Sequence, residues 1–507
     1  MAGHFRTQAP AASLPGQAFG RYPQFSGIMK PSRFEGEVQN LEVDGTIPHS
    51  IDGTFYRVMP DPQMVPFIEG DPWFNGDGNI SAFRIHNGRC HFKQRYVRTE
   101  KFVRERQAQR ALLGRYRNKY TDLVEFHVRS TANTNIFYFN GRLLACKEDS
   151  PAYAMDPVTL ETIGLEDFCG QMPSLTFTAH PKLDPVTGEL HCFGYEARGD
   201  GTPDVCYWTV SPDGQVKNVS WLVAPAVAMI HDFAVTDHWI LFPLNCLTCD
   251  VERLKAGGEH WQWDPELPFY LGVMPRYGGN NSNVKWFQGP TAFPGHTANA
   301  HETADGNIVF DLAMAKDNIF VWWPDRDGNA PDPKSGACRT EMSRYTIDPR
   351  SKDLELPTPA VLGPDDCEFP RIDDRVSSKP HTTIFYLAMD PALDTNYQAI
   401  GHLVAGFAPY NAIGQLDVVT GGLAKYFPGR THFVQEPVFI PRSKDASEGD
   451  GYVMAMVNNL STMTSELHIV DTNDFTKAQA IIYLPMNLRI GLHGNWVDSQ
   501  DLGLSKD

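Results

Sequence analysis

Four histidines stand in a recurring local setting: His180 in Phe177-Thr178-Ala179-His180-Pro181, His231 in His231-Asp232-Phe233, His296 in His296-Thr297-Ala298-Asn299, and His493 in His493-Gly494-Asn495-Trp496. Gathered together, four neutral imidazoles make an all-nitrogen cage for a divalent transition metal, with neither thiolate nor carboxylate among the ligands. They lie so far apart that no single helix or loop supplies two of them, so a whole domain must close to bring residues 180 and 493 together. Taken singly, each histidine is more often a satisfied core or surface residue, and His238 and His301 compete with their neighbours His231 and His296.

Turn signals show which elements could close such a domain. Asp-Gly and Asn-Gly pairs recur at Asp44-Gly45, Asp52-Gly53, Asn75-Gly76, Asp77-Gly78, Asn87-Gly88, Asn140-Gly141, Asp213-Gly214, Asp305-Gly306 and Asp327-Gly328. Between them lie short apolar stretches such as Ile136-Phe137-Tyr138-Phe139, Leu143-Leu144-Ala145-Cys146 and Ile308-Val309-Phe310. The pattern predicts antiparallel hairpins. Many short strands with no helices alternating between them predict an all-β chain, a β-propeller more than a sandwich. One domain is expected over residues 1–507, with an N-terminal extension over about residues 1–30. The polar stretch Thr99–Gly114 carries Phe102, Val103, Leu112 and Leu113 and no proline, and it predicts a helix within a cap insertion over about residues 99–118.

At 507 residues, 42% hydrophobic and 21% charged, the chain can bury a large core. Its net charge of −17 speaks against nucleic acid and against an anionic membrane surface as partners. No apolar run of membrane-spanning length is present, and Met1–Gly20 lacks the hydrophobic centre of a signal peptide, so a cytoplasmic protein is expected. The nine cysteines are an odd number without dense spacing and read as reduced core residues. Cys246-Leu247-Thr248-Cys249 follows the apolar run Trp239–Leu244 and reads as the end of a buried strand.

Several motifs together resemble the carotenoid cleavage oxygenases. They are Phe74-Asn75-Gly76-Asp77-Gly78, Thr131-Ala132-Asn133-Thr134-Asn135, Leu160-Glu161-Thr162, Glu368-Phe369-Pro370, Glu436-Pro437-Val438-Phe439 and the four histidine settings, and the likeness runs from about Phe34 to Val497. The resemblance implies a seven-bladed β-propeller with a helical or loop cap over an axial Fe(II) held by His180, His231, His296 and His493. It implies that Glu148, Glu368 and Glu436 hold the second ring nitrogens of the ligands, where a strand-end glutamate facing solvent is the plainer alternative. By the same resemblance, Thr134 places a methyl over an open coordination position and helps direct O2, while Phe74 and Phe320 line the substrate pocket.

Substrate class turns on Tyr116 and Lys147, which match the pair that stilbene-cleaving members use to bind a ring 4-hydroxyl. Oxidative alkene scission wants an electron-rich double bond, and a conjugated para-hydroxyl releases most electron density when ionised. An ammonium and a hydroxyl converging on that oxygen would stabilise the phenolate. A polyene offers neither group a partner, so a lysine buried against it would be an uncompensated charge. An exposed strand lysine is the plainer alternative, and because adjacent strand residues face opposite ways, Lys147 and Glu148 need a bulge or strand end to converge. The polar run Arg104–Arg110 suits a substrate delivered from water.

The resemblance therefore implies an Fe(II)- and O2-dependent alkene-cleaving dioxygenase acting on small 4-hydroxystilbenes of the resveratrol, piceatannol or lignostilbene type. Isoeugenol or 4-vinylguaiacol cleavage, apocarotenoid cleavage and a noncatalytic propeller are the alternatives. Trp322-Trp323 and Met486-Asn487 take no role from the resemblance.

Overall fold

The computed structural model describes residues 18–20, 22–332, 335–400 and 409–504. Seven antiparallel sheets of four or five strands follow one another as the blades of a propeller. Blades two to six run consecutively through Asn135–Leu165, Lys182–Val223, Ala234–Gly289, Phe293–Val361 and Asp366–Tyr426. Blade seven takes His432–Tyr483 and adds Glu42–Gly45 from near the other end of the chain. Blade one is closed the opposite way, because the last strand, Gly494–Asp498, pairs antiparallel with Gly53–Pro60. A two-stranded hairpin, Leu247–Thr248 with Gln262–Trp263, projects from blade four.

The apolar core is divided among the blade interfaces. One cluster joins Tyr56 and Ile80 of blade one to Ile136 and Leu143 of blade two. Others lie between blades two and three (Leu144 with Trp208), three and four (Tyr207 with Phe242), and four and five (Leu271 with Phe310). The circle continues through five and six (Met342 with Tyr386), six and seven (Phe385 with Val453), and seven and one (Met454 with Phe83). A sheet packed on both faces has no solvent side, which is why strands such as Gly53–Pro60 and Ile308–Ala315 are buried at every position and their sequences do not alternate.

Of the nine glycine pairs read as turns, Gly45, Gly88, Gly141, Gly214, Gly306 and Gly328 adopt positive φ. Asn87 and Asn140 do as well, the signature of two-residue hairpin turns. Gly53, Gly76 and Gly78 do not turn the chain, and close approach is what requires glycine there. A Cβ on Gly78 would stand 2.0 Å from the Ala132 carbonyl oxygen, and one on Gly53 2.4 Å from that of Val497.

The stretch predicted as helical folds as Glu100–Ala108, with the Thr99 side chain accepting from Phe102 N–H. Its inner face is polar as well as apolar: Lys101 Nζ reaches Asp77 at 2.7 Å and Glu105 at 3.0 Å, and Glu105 also accepts from the amides of Leu112 and Leu113. Of the extension expected over residues 1–30, residues 1–17 and 21 lie outside the described residues. Phe25, Ile28 and Met29 are buried, and Asn487 ties the Ile28 carbonyl down at 3.1 Å.

Polar contacts stitch the inner strands into a ring. Asn495 donates to Asn135, Asn135 to the Ala179 carbonyl, and Lys182 pairs with Asp232 at 2.7 Å. Asp232 accepts from the Thr297 amide and hydroxyl, and Arg371 reaches both Glu436 and the Gly494 carbonyl. Asp232 thus links three blades from a buried position, and Asp232→Ala would strand the Lys182 ammonium and the Thr297 amide. The expected loss is about 2 kcal/mol, read as a lower denaturant midpoint at unchanged slope. An unchanged midpoint would show that the ring contacts carry no stability.

Candidate active site

Each blade delivers one residue to the axis, from its innermost strand or from the residues just before it: His493, Thr134, His180, His231, His296, Glu368 and Glu436 in blade order. In blades five to seven a strand irregularity does the aiming. Register shifts fall at Pro294–Asn299, Glu368–Arg371 and Val434–Pro437, around His296, Glu368 and Glu436. Pro294, Pro370 and Pro437 sit at these shifts, as expected where a strand edge faces the axis and proline removes a ladder donor. Phe369 takes φ +52 in the second bulge and lays its ring over His296, centroids 4.8 Å apart at 27°.

The four imidazoles converge, their candidate ligand atoms all within 4.8 Å of one another. His231 Nε2 lies 3.1 Å from His180 Nε2 and 3.2 Å from His296 Nε2. With metal–nitrogen bonds of about 2.1 Å, two ligands at right angles stand about 3.0 Å apart, so the cage fits a divalent ion. Three carboxylates fix the tautomers. His231 Nδ1 faces Glu148 at 2.7 Å, His296 Nδ1 faces Glu368 at 2.6 Å and His493 Nδ1 faces Glu436 at 2.9 Å. A carboxylate only accepts, so Nδ1 carries the proton and Nε2 offers its lone pair inward.

The electrostatics suit that arrangement at two of the rings, whereas at His296 burial is overridden by Glu368, which raises the imidazole above its ordinary value. Burial holds His493 down to about 4 and His180 well below its ordinary value, so both rings are neutral at pH 7. Burial opposes ionisation of Glu148, but His231, Arg117 and Lys147 override it and hold the carboxyl well below its usual range. Burial likewise opposes Glu368 and Glu436, and His296 and His493 respectively bring them below theirs. Each carboxylate has a further donor: Arg117 Nη1 at 3.4 Å from Glu148, the Phe369 amide at 2.5 Å from Glu368, and the Gly494 amide at 2.7 Å from Glu436.

The structure brings Tyr116 and Lys147 to the same place. The strand Arg142–Cys146 ends just before Lys147, so Lys147 and Glu148 lie in the following turn and are released from facing opposite ways. Lys147 Nζ donates to Tyr116 Oη at 3.0 Å, and the Tyr116 hydroxyl donates to Glu148 Oε1 at 3.3 Å. Phe74 and Phe320 meet edge to face at 5.5 Å, Phe74 stacks on Trp323 at 5.9 Å and Trp323 reaches Tyr116 at 5.3 Å. Trp322 also packs against Phe74, so the Trp322-Trp323 pair belongs to the aromatic wall beside Tyr116. Thr134 is buried, its hydroxyl turned to Asn133 and its carbonyl accepting from the His493 amide.

The model of the retinal pigment epithelial membrane protein family, RPE65, matches residues 29–498. The chain belongs to this family of carotenoid cleavage oxygenases. Its members are dioxygenases that cleave alkene bonds with O2, and so is this chain. It is 62% identical over 482 residues to a resveratrol cleavage oxygenase 1 of Aspergillus fumigatus, covering 95% of this chain and 96% of that protein. It is 55% identical over 480 residues to a carotenoid cleavage oxygenase 1 of Neurospora crassa, covering 94% and 91%. The crystal structure of a Pseudomonas brassicacearum lignostilbene dioxygenase superposes with a TM-score of 0.91 at 44% identity, covering 95% of this chain and all of that one.

Two residues at this site, Arg117 and Gly295, carry no signal in the sequence that marks them. Arg117 is buried against Glu148, Tyr195 and Glu196, and its charge occupies the one other metal-capable cluster among the described residues, Glu196, Cys249 and His260. The Cys249 thiol within that cluster is pushed up by burial. Gly295 is the other. A Cβ there would lie 2.0 Å from Glu368 Oε1, so Pro-Gly-His is glycine-specific because the carboxylate must approach. Gly295→Ala is expected to displace Glu368 and weaken metal retention about tenfold, measured by chelator competition. Retention equal to wild type would mean the carboxylate adjusts without loss.

Proposed function

We propose that the chain is a nonhaem Fe(II) dioxygenase that cleaves the interphenyl C=C bond of 4-hydroxystilbenes, of the resveratrol, piceatannol or lignostilbene type, into two aromatic aldehydes. Both atoms of O2 end in the two new carbonyl groups, so the reaction balances without a further reductant. His180, His231, His296 and His493 would hold the iron, which would activate O2 toward a closed-shell alkene, the alkene itself being the net reductant. Glu148, Glu368 and Glu436 would keep three of those rings in the ligating tautomer.

The observation that carries this reading is Lys147. Lys147, Tyr116 and Glu148 are each 3% exposed, and the Lys147 amine stands 4.4 Å from the centre of the Tyr116 ring. A buried ammonium beside a tyrosine hydroxyl is costly unless a ligand anion completes it. A phenolate does so: Lys147 gives it a charge-assisted hydrogen bond, and ionisation feeds electron density into the conjugated alkene. Phe74 and Phe320 would flank the ring, and Thr134 would stand at the axis on the O2 side.

Burial lowers Lys147 below its ordinary value of 10.5, with Asp149 and Glu148 acting the other way. A base whose folded pKa lies below its unfolded one destabilises the fold, fully at pH below the folded value, and this penalty fades as pH rises through the unfolded value. Lys147→Met is therefore expected to lose turnover of 4-hydroxystilbenes yet melt above wild type at pH 7, the difference closing as pH approaches 10.5. Retained turnover would remove Lys147 from the substrate site.

The substrate class is tested by O2 uptake of the Fe(II)-loaded protein with resveratrol, isoeugenol and an apocarotenal in parallel, products identified by mass. Uptake is expected with resveratrol, giving 4-hydroxybenzaldehyde and 3,5-dihydroxybenzaldehyde. Faster formation of vanillin from isoeugenol would make the one-ring phenol the substrate, and uptake with the apocarotenal alone would overturn the phenol reading.

A further inference from the structure

Lys147, Tyr116, Glu148 and His231 form one unbroken line of hydrogen bonds, 3.0 Å from Lys147 Nζ to Tyr116 Oη, 3.3 Å from Tyr116 Oη to Glu148 Oε1, and 2.7 Å from Glu148 Oε2 to His231 Nδ1. A tyrosine hydroxyl has a single proton. Lysine ammonium can only donate, so in this arrangement the Tyr116 proton is committed to Glu148. A phenolate docking on the Lys147–Tyr116 pair would need that same proton.

We propose that Tyr116 reports phenol occupancy to the metal ligand His231. The inference rests on the phenol-site reading above. When the substrate oxygen is in place, the Tyr116 proton turns from Glu148 to the phenolate. Glu148 is then left with Arg117 and His231 as its donors. With one donor fewer, its charge draws more strongly on the Nδ1 proton, and the imidazole becomes a stronger donor through Nε2.

Two features make this line specific. Arg117 cannot close in to compensate, because its guanidinium is held at 2.5 Å by both Tyr195 and Glu196 and lies 4.9 Å from the centre of the Trp261 ring. The other two carboxylates take their further donors from the amides of Phe369 and His296 for Glu368, and from the Gly494 amide and Arg371 for Glu436; Arg371 is itself held by the Gly494 carbonyl and Asn495, away from the Lys147–Tyr116 pair. Phenol binding thus acts on His231 and leaves the His296 and His493 partners alone, coupling ligand strength to the presence of substrate.

The test uses the full chain loaded with Co(II), whose visible ligand-field bands report donor strength, and a 4-hydroxybibenzyl, a phenol with a saturated linker that cannot be cleaved. Calorimetry follows binding and absorption follows the metal site. Wild-type bands are expected to shift on saturation. Tyr116→Phe is expected to bind the phenol about tenfold more weakly through Lys147. It should show the shifted spectrum before any phenol is added, because Glu148 has already lost its donor, and no further shift on saturation. Wild-type binding without a band shift would overturn the link alone, as would a full phenol-induced shift in Tyr116→Phe. Absence of any calorimetric binding to wild type would overturn the phenol-site reading and the link with it.

Discussion

Circular closure is the constraint on which everything else depends. The last strand, Gly494–Asp498, completes blade one beside Gly53–Pro60, and His493 immediately precedes it. Closing the fold and delivering the fourth imidazole are therefore one event. The seven inner strands form a ring, so the distance between any two of the four imidazoles is set by the whole circumference. No single hairpin could hold Nε2 atoms 3.1 Å apart across residues 180 and 231 while also meeting residues 296 and 493.

The body and the axis are stabilised by different physics. Between blades, apolar slabs such as Leu271 with Phe310 or Phe385 with Val453 supply the non-directional burial that makes the domain cohere. At the axis the contacts are directional. Three carboxylates, two arginines and a run of backbone amides are arranged so that the buried charges around the cage have partners. Bulges at His296, Glu368 and Glu436 convert strand pairing, which would point side chains across the sheet, into side chains aimed along one axis.

Over this shared frame, the residues proposed to meet the substrate gather in a small region. Tyr116 comes from the segment after the helix Glu100–Ala108, Lys147 from a turn of blade two and the aromatic wall of Phe320 and Trp323 from an excursion of blade five. None of these lies in an inner strand, so they can vary without disturbing the ring. The exception is the Tyr116–Glu148 hydrogen bond, where the variable region touches the fixed one.

The sequence by itself determined the chemistry of the centre. The local settings around His180, His231, His296 and His493 marked the four imidazoles that converge, and the resemblance of Glu-Phe-Pro and Glu-Pro-Val to family motifs pointed to two of the carboxylates beside them. Asn87-Gly88 and Asn140-Gly141 were legible as turns because positive φ is a local demand. What only the tertiary structure decided depends on long-range approach. Gly53 and Gly78 look like turn glycines and are instead packed against distant backbone, and Gly295 is required by a carboxylate from another blade. The pairing of Glu42–Gly45 with blade seven and Arg117's place beside Glu148 likewise join residues far apart in the chain. A strand buried on both faces loses the alternation that marks it in sequence, so the blades had to be seen before they could be counted.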